Sequence, residues 1–404
     1  MQRTLATLIL SATACAAAAA GPLNPPSGAV GSTGKTLTEL EPRIAISAIN
    51  TPGDADSQFR ITAAGSYYLT GNIVGVANKK AIEIQGSNIS IDLNGFTIQG
   101  TGGATAGDGI NIDTVATSGT VVVRNGSITQ CRTGVNMPLN YGSIKLDDLT
   151  VSFCTSSGAI VNNGSARSCH FRSNTFTGLL MTSVFSAENC TSSSNTGSGF
   201  SATQGLCMLR GCTASGNGAD GFDTPFCVIN ECQAISNAQI GFDRPSLITN
   251  SYALGGITPL AMSGGVATGC TAEGGSADGI TATARSRISN CRVFGAGQNG
   301  IRATGAGCTI KDCTVNSCGT SSGAFAGIKV DSTDCLVSDN HVSQMTTGGD
   351  DVGIWVVGIG NMIVRNAVTT ANDWYNIAAG NAAGPEIGSA AVATTTNPMA
   401  NIGF

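Results

Sequence analysis

The stretch GFDTP, from Gly221 to Pro225, returns almost unchanged as GFDRP, from Gly241 to Pro245. A glycine followed by a bulky apolar residue recurs along most of the chain, with a period of about 22 residues. Further copies begin at Gly109, Gly134, Gly178, Gly199, Gly279, Gly300, Gly327 and Gly353, and Ser157-Gly158-Ala159 fills one gap. Two more registers lack the glycine and are assigned to Ala261–Met262 and Asn376–Ile377. A repeat of this length indicates that one stacked unit builds most of the molecule.

The unit from Cys308 to Ile328 shows what one repeat contains. Apolar and polar residues alternate from Cys308 to Val315, with one interruption at Lys311–Asp312. Alternation of period two is typical of a β-strand, so the interruption indicates a bend between two short strands. Gly327–Val330 supplies a third strand. The predicted fold is all-β: a single-stranded right-handed parallel β-helix of about 12–14 coils with N- and C-terminal caps. A helical solenoid would need apolar spacing of three and four, and few glycines.

Stacked coils place equivalent residues in columns, and the sequence predicts four of them. The residue after each repeat glycine forms an inward apolar column. The second column, at the bend, holds Asn125, Asp148, Cys169, Cys190, Cys212, Cys232, Ser251, Cys270, Cys291, Cys313, Asn340 and Asn366. The third holds Cys207, Cys227, Cys308 and Cys335, and the fourth holds Asn174, Asn195, Asn217 and Asn237. Stacked asparagine amides can bond to one another, which favours a structural role for the fourth column.

The cysteines have three possible states. Fourteen of the fifteen cysteines follow residue 20. The first interpretation is a column of buried thiols, because free cysteine packs as a small hydrophobe. Some disulfides between successive coils are the second, because an exported chain favours them. A metal site is the third, since no Cys-x-x-Cys pair is present and the chain has two histidines.

Composition limits the partners. Charged residues make up 11% of the 404 residues and the net charge is −5, which argues against a nucleic-acid partner and against an anionic membrane surface. Met1–Ala20 has the basic end, apolar run and small residues of an export signal, so we expect a secreted, cell-surface or periplasmic protein. Acylation at Cys15 is the alternative. No other segment is long enough to span a membrane.

The expected domain boundaries follow from these features. After the signal peptide (1–20) we expect a linker rich in glycine, proline and serine (21–36) and an N-terminal cap with the first coils (37–100). The β-helix repeats occupy 101–371, and a C-terminal cap or tail occupies 372–404.

Three stretches carry a resemblance to a known group. They are FRITAAGSYYLTGNI (Phe59–Ile73), IEIQGSNISIDLNGFTIQG (Ile82–Gly100) and YNIAAGNAAGP (Tyr375–Pro385). With the repeats, they resemble exported bacterial right-handed β-helix proteins of the pectate-lyase-like fold group, over about Leu37 to Phe404. The resemblance implies an exported solenoid and little chemistry, because most such proteins have no assigned activity.

The motifs of one enzyme family with this fold are largely missing. Polygalacturonase-like β-helices carry Asn-x-Asp, Asp-Asp, Gly-His-Gly and Arg-Ile-Lys. This chain has the Asp-Asp pattern at Asp147–Asp148 and Asp350–Asp351, and it has neither Gly-His-Gly nor Arg-Ile-Lys. His170 and His341 lie outside any Gly-His-Gly, and alternation points both outward. No catalytic role is therefore carried over from that family.

The residues two places after the repeat glycines form the outward column with the most chemical interest. Asp223 and Asp243 fall on successive coils, so their carboxylates are expected roughly 5 Å apart, the separation found in retaining glycosidases. Like charges at that distance raise one pKa and suit a general acid. With Asp220, the pair is alternatively a candidate Ca²⁺ site.

The same column continues with Arg302, Lys329 and Trp355. Arg302 next to Lys329 would lower the pKa of the lysine and suit a base. About three coils separate these cations from the aspartates, which is too far for one proton-abstraction site at about 4.8 Å per coil. Asp223, Asp243 and Lys329 are nevertheless the candidate catalytic residues. The candidate ligand-binding residues are Asp220, Asp223, Asp243, Arg302, Lys329 and Trp355. Aspartate in Asp-Gly is also common turn chemistry, which is the structural alternative.

Two function classes follow. The first is a non-catalytic exported surface or matrix protein that binds polysaccharide or cell-surface glycan without a cofactor. The second is a polysaccharide lyase or glycoside hydrolase, with Ca²⁺ as a possible cofactor. The longest spacings predict loops at Thr320–Ala326 and Thr346–Asp351, and their shortness favours the first class. A periplasmic role in metal-site maturation is a third option.

Overall fold

The structure is a computed structural model, and it describes residues 41–113, 119–137, 142–204, 206–343, 345, 351–369, 371–388 and 395–404. Several predicted features lie outside these ranges: the signal peptide, the linker, the acylation site at Cys15, and residues 346–350 of the second loop, which include Asp350. Arg43–Phe404 form one compact unit. None of the helical segments in the described ranges has the length and apolar character of a membrane span.

One face of the solenoid is a parallel sheet of fifteen strands, each from one coil. We call it the glycine sheet, because most of its strands follow a repeat glycine. Its strands are Ser57–Ile61, Lys80–Ile84, Ile110–Ile112, Val135–Asn136, Ala159–Val161, Leu179–Met181, Phe200–Ala202, Phe222–Asp223, Ile240–Asp243, Thr258–Ser263, Ile280–Thr283, Ile301–Ala303, Ala326–Val330, Val352–Val356 and Asp373–Ile377. The predicted parallel β-helix is confirmed, with fifteen strands in this row against the 12–14 coils expected.

The rest of the wall is a sheet of thirty strands, which we call the bent sheet because each coil crosses it with a bend. The strands before the bend, or running through it, are Ile44–Ala45, Gly65–Tyr68, Ile89–Asp92, Thr120–Thr129, Ser143–Ser152, Gly164–Arg167, Phe185–Glu188, Met208–Arg210, Val228–Asn230, Leu247–Thr249, Val266–Thr268, Arg287–Ser289, Thr309–Lys311, Leu336–Ser338, Met362–Val364 and Ala382–Ala383. The strands after the bend are Ile73–Val74, Thr97–Gln99, His170–Arg172, Thr191–Ser193, Thr213–Ser215, Gln233–Ile235, Tyr252–Leu254, Thr271–Glu273, Arg292–Phe294, Thr314–Asn316, His341–Ser343, Ala367–Thr369, Glu386–Gly388 and Asn401–Gly403. A single 3₁₀ turn, Gly103–Thr105, is described.

The repeat glycines are required by close stacking of the coils. A Cβ built on Gly221 would lie 2.7 Å from the carbonyl oxygen of Gly241, on the next coil. The same contact is 2.6 Å for Gly300 and 2.9 Å for Gly327. These distances are below any ordinary carbon–oxygen contact, so a side chain would push neighbouring coils apart. The repeat seen in the sequence is therefore a packing requirement at the entrance to each glycine-sheet strand.

The register corrects two sequence assignments. Leu260 pairs with Ile280, which puts Pro259, rather than Ala261, in the position of the missing glycine. Tyr375 likewise pairs with Ile354, so Trp374, rather than Asn376, takes the last glycine position. Both assignments were displaced by two residues. A shift of two leaves every side chain on the same face of a strand, so alternation cannot detect it.

The bend column was also misassigned at one end. Thr150 pairs with His170, which aligns Leu149 with Cys169. Asp148 therefore lies one place earlier, at the bend itself, where it has φ 52°. Asn125 has the same position and a φ of 59°. Asparagine and aspartate tolerate this left-handed conformation better than most residues, so they are common at the bend. The sequence pattern alone does not distinguish this bend position from the neighbouring column position.

The interior is built from repeated columns, as predicted. Phe200, Phe222 and Phe242 stack with ring centroids 5.0 and 4.7 Å apart, and all three are buried. All fourteen described cysteines are buried free thiols. Burial raises the pKa of the Cys131 and Cys154 thiols to about 12, which keeps both protonated at neutral pH.

Buried asparagines join the coils on the approach to the glycine sheet. In the asparagine ladder Asn174–Asn195–Asn217–Asn237, each side-chain Nδ2 donates to the Oδ1 of the next residue, at 2.9, 3.0 and 2.8 Å. Each Oδ1 also accepts a backbone N–H, as Asn217 does from Asn195 at 3.1 Å. A second run at the bend, from Asn340 to Asn401, repeats the pattern. The structural role expected for the fourth column is confirmed.

The C-terminal aromatics cap the core. Trp374 lies against the backbone of Gly403, where an added Cβ would come within 2.2 Å of the indole ring. The Tyr375 hydroxyl lies 2.8 and 2.9 Å from the carbonyl oxygens of Asn366 and Ile402, which share its single O–H donor. These contacts fasten the last glycine-sheet strand to the final strand of the bent sheet.

Candidate functional site

The outward residues at the centre of the glycine-sheet strands form one continuous column, which we call the outer strip. In the register of the sheet, each residue of the strip pairs with the strip residue of the next coil. From the N-terminal end the strip comprises Arg60, Glu83, Asn111, Asn136, Ile160, Leu180, Ser201, Asp223, Asp243, Ala261, Thr281, Arg302, Lys329, Trp355 and Asn376. The column residues named from the sequence, which are Asp223, Asp243, Arg302, Lys329 and Trp355, all lie in it. The structure inserts Ala261 between Asp243 and Thr281.

Three carboxylates of the strip region come together. Asp223 and Asp243 pair across neighbouring coils, and Asp220 lies in the turn that leads into the strand of Asp223. One oxygen from each lies within 4.8 Å of the others. We call these three residues the acidic cluster. Their grouping follows from the register, because in-register parallel strands bring equivalent side chains within about 4.8 Å.

Arg244 is a member of this region that the sequence analysis missed. Its Nε donates to Asp243 Oδ2 at 2.7 Å, and its Nη2 lies 3.5 Å from Asp223 Oδ1. Arg244 has a φ of 51° and is partly exposed. The signal was present in the sequence, since GFDRP differs from GFDTP at this position alone. Its cation offsets part of the charge of the aspartate pair.

Asp220 has a structural role, because it accepts a backbone hydrogen bond from the next coil. Its Oδ1 accepts the backbone N–H of Ile240, on the next coil, at 2.8 Å. Asp108 and Asp278, the other aspartates of Asp-Gly pairs, accept the N–H groups of Thr133 and Asn299 in the same way, at 3.2 and 3.1 Å. An aspartate before the repeat glycine thus satisfies a buried backbone donor one coil away.

Burial raises the pKa of two carboxyl groups of the acidic cluster. It raises the pKa of Asp220, against the lowering effect of the Ile240 N–H. It also raises the pKa of Asp243, where the hydrogen bond from Arg244 acts in the opposite direction. The direction agrees with the expectation of a raised carboxyl pKa, but the main cause is removal from water rather than repulsion between carboxylates.

Further along the strip lie Arg302 and Lys329, which we call the basic cluster. The sequence analysis missed their partner, Asp331. Arg302 Nε donates to Asp331 Oδ2 at 2.7 Å, and Lys329 Nζ lies 3.8 Å from the other oxygen of Asp331. Arg302 also lies 3.8 Å from Asp278. The Lys329 ammonium sits over the Trp355 ring, 4.1 Å from its centroid, in cation–π geometry. Asp331 therefore bridges the two cations, which lie side by side as the sequence predicted.

The two clusters do not form one site. From Asp243 the register passes through Ala261 and Thr281 before it reaches Arg302, three coil steps away. At about 4.8 Å per step this distance is well beyond hydrogen-bond reach. The separation predicted from the repeat is confirmed.

The surroundings of the strip are shallow on the side of the first predicted loop. The segment from Thr320 to Ala324 is short, and its residues are exposed. Beside the acidic cluster, Val184, Leu206 and Phe226 occupy equivalent turn positions and are 61%, 68% and 68% exposed. We call these three residues the apolar column. His170 and His341, on the bent sheet, are exposed as expected.

The comparisons with known proteins agree on the architecture. Residues 249–395 match a family model described as "Right handed beta helix region". The match agrees with the parallel β-helix that the fifteen stacked strands form, and it identifies the fold as a right-handed one. No curated protein matches the chain in sequence.

Several solved structures are similar at low identity. The A-module of the mannuronan C-5 epimerase AlgE6 of Azotobacter vinelandii is 12% identical over 84% of this chain and 90% of its own, with a TM-score of 0.47. Tailspike protein 3 of bacteriophage CBA120 is 14% identical over 89% and 65%, with a TM-score of 0.43. Pectate lyase Pel9A is 13% identical over 80% and 79%, with a TM-score of 0.31. At these values the likenesses carry no argument about activity.

Proposed function

We propose that the protein is an exported, non-catalytic β-helix that binds glycan along the outer strip of the glycine sheet. One observation carries the proposal: the strip's aspartates and its two C-terminal cations are paired with opposite charges from residues beside the strip, in two clusters three coils apart. Arg244 offsets Asp223 and Asp243, and Asp331 bridges Arg302 and Lys329.

This pairing argues against acid–base catalysis on the strip. A lyase needs a base beside the groups that polarise the substrate's carboxylate. Lys329 is the candidate base, but Asp331 and the Trp355 ring hold its ammonium, and the acidic cluster is three coils away. A positioned and unpaired base is absent from the part of the strip that the structure describes.

The same features suit recognition of a neutral or weakly charged polysaccharide. Sugar hydroxyls both donate and accept hydrogen bonds, and the strip carries amides, carboxylates and cations in separate groups along the solenoid axis. Trp355 is half-buried, and the part of its ring that the Lys329 ammonium does not cover is the proposed contact for a sugar ring. The apolar column provides a second surface for the C–H faces of sugars.

The decisive experiment is a screen of the purified protein against acidic and neutral polysaccharides, with and without Ca²⁺, for both binding and unsaturated products. We expect binding without turnover. Trp355→Ala should weaken that binding about tenfold, because stacking of a ring on tryptophan is lost. Phe294→Ala, an equally simple truncation on the bent sheet, is the matched control and should bind as the wild type does. Product release that disappears in Asp223→Ala or Lys329→Ala would overturn the proposal.

A second candidate, a polysaccharide lyase or glycoside hydrolase, is favoured by the acidic cluster. Its carboxylates lie within 4.8 Å of one another, and burial raises the pKa of two of them, which suits a general acid. Three carboxylates are also a donor set for Ca²⁺, a hard ion that takes oxygen ligands. Arg244 stands against a Ca²⁺ site, since its guanidinium already holds Asp243. The activity arm of the screen decides between the two functions.

A further inference from the structure

A cleft of about 420 Å³ opens on the side of the first four coils, away from the acidic and basic clusters. Turns from successive coils form it, and backbone hydrogen bonds fix their spacing. Lys80 N–H donates to the Asp56 carbonyl oxygen at 2.9 Å, and Arg132 N–H donates to the Gly107 carbonyl oxygen at 2.7 Å. The volume is enough for a sugar ring, since small-molecule sites begin at about 300 Å³.

The wall of the cleft contains an arginine held in place from behind. Arg132 donates through Nε and Nη2 to the two oxygens of Asp108, at 2.9 and 2.6 Å. Asp108 is buried and its oxygens also accept from Thr133 N–H and Asn136 Nδ2. A guanidinium has five N–H donors, so the Nη1 donors of Arg132 remain for a ligand. The carboxylate behind it fixes the plane of that donor pair.

Acceptors face the same space. The side chains of Asp56 and Asn78 line the cleft and make no hydrogen bond among the residues that the structure describes. Lys80 also lines it, with its ammonium paired to the buried carboxylate of Glu83. The cleft thus presents free acceptors from Asp56, free donors from Arg132, and an amide of both kinds.

The balance of charge selects the ligand. Lys80 and Arg132 are each already paired with a carboxylate, and Asp56 adds a further negative charge at the wall. Among the described residues that line the cleft, an anion would therefore meet no unpaired cation, and it would be repelled by Asp56. A neutral group with adjacent hydroxyls can accept from the guanidinium and donate to the carboxylate at the same time.

We propose that this cleft is a binding site for a neutral sugar, recognised through vicinal hydroxyls by Asp56 and Arg132. It deepens the proposed glycan binding with a subsite at the N-terminal end of the solenoid, which no residue of the acidic or basic cluster touches. Asp108 acts as the positioning residue for Arg132.

The test is saturation-transfer NMR with the full chain and the methyl glycosides of glucose, mannose, galactose and xylose, with glucuronate as the charged probe. Ala104 lies exposed on the rim of the cleft, so Ala104→Trp should fill the space and abolish the signal of the neutral sugar. Ala238→Trp, at an exposed turn of a distant coil, is the matched control and should leave it unchanged. Asp56→Ala should weaken binding about tenfold, as expected for loss of a hydrogen bond to a charged group.

The outcomes separate this site from the outer strip. If Trp355→Ala loses polysaccharide binding but still binds the methyl glycosides, the cleft binds sugar independently of the outer strip, as proposed. Methyl glycoside binding that survives Ala104→Trp, a signal from glucuronate alone, or no signal from any of the neutral probes would overturn it. Unchanged thermal unfolding of Ala104→Trp and Asp56→Ala excludes misfolding as the cause of a lost signal.

Discussion

The interior column of the glycine sheet and its outer strip are adjacent in sequence, yet they differ in what they repeat. Phe200, Phe222 and Phe242 fill one inner stack, whereas their outward neighbours are Ser201, Asp223 and Asp243. Every inner residue must match the coil above and below, because both are packed against it. The outer residues must only match water or a ligand. Stability therefore belongs to the inner columns, and specificity belongs to the outer strip.

The largest effect that tests this division is expected inside the phenylalanine stack. Phe222→Ala should lower the free energy of unfolding by about 3–5 kcal/mol, because it removes a buried ring and leaves a cavity between two others. The outward control, Asp223→Ala, should change it by less than about 1 kcal/mol. Urea unfolding of both variants measures the difference, and equal losses would contradict the division.

The asparagine ladder should come next. Asn217→Ala removes the acceptor for Asn195 N–H and Nδ2, and the donor to Asn237 and to the Ser192 carbonyl oxygen. Buried groups left without partners cost about 1–3 kcal/mol, so we expect a loss of about 2–4 kcal/mol. The half-buried Asn230, on the bent sheet, gives the control Asn230→Ala. A loss for Asn217→Ala no greater than for this control would show that the ladder is not stabilising.

The repeat glycine itself should have a smaller but clear effect. Gly221→Ala forces a Cβ to within 2.7 Å of the next coil, and such overpacking costs about 1–3 kcal/mol. Gly71 has open space around its Cβ position and no unusual φ, so Gly71→Ala should be neutral or slightly stabilising. Thermal unfolding of the two variants compares them directly. If Gly221→Ala left the unfolding temperature unchanged, close packing between coils would not be the reason for the repeat glycine.

On the outer strip, removal of a single cation should change binding rather than stability. Arg244→Ala frees Asp243 and Asp223, so we expect Ca²⁺ affinity, measured by calorimetry, to rise about tenfold. Arg210→Ala, which removes an exposed arginine paired with Glu231 on the bent sheet, is the control. Tight Ca²⁺ binding by the wild type would show instead that Arg244 yields to the metal, and would favour the enzymatic alternative.

The smallest effect should be a pH dependence. The pKa values of Asp220 and Asp243 are raised in the folded state, so the folded chain binds protons more readily than the unfolded chain. Their contribution is present below the unfolded pKa of about 3.9 and is lost as pH rises through the raised folded values. Asp220→Asn should flatten this part of the stability profile, measured as urea midpoints between pH 3 and 7. An unchanged profile would contradict the raised pKa of Asp220.

The inner columns could be predicted because their pattern is periodic and one-dimensional. The glycine, the apolar residue after it and the asparagine before it all recur at one spacing, and stacking follows from that spacing. The prediction failed by two residues at Pro259 and Trp374, and by one at Asn125 and Asp148. In the first case both choices leave the side chains on the same face, and in the second a bend residue resembles a column residue in composition.

The contacts of the outer strip were predicted less well. The sequence placed Asp223 beside Asp243 and Arg302 beside Lys329, since these pairs are one period apart. It did not supply Arg244 or Asp331, which lie off the strip and reach it through the direction of their side chains. The cleft of Asp56 and Arg132 lay outside the prediction for the same reason.

The sequence by itself thus determined the repeat, the parallel β-helix, the inner columns and the separation of the acidic from the basic residues. These are consequences of periodicity, because equal spacing along the chain becomes adjacency between coils. Only the tertiary structure decided which charges neutralise one another and where a cleft opens. Those outcomes depend on turns and long side chains that do not repeat, so their geometry exists only once the coils are stacked.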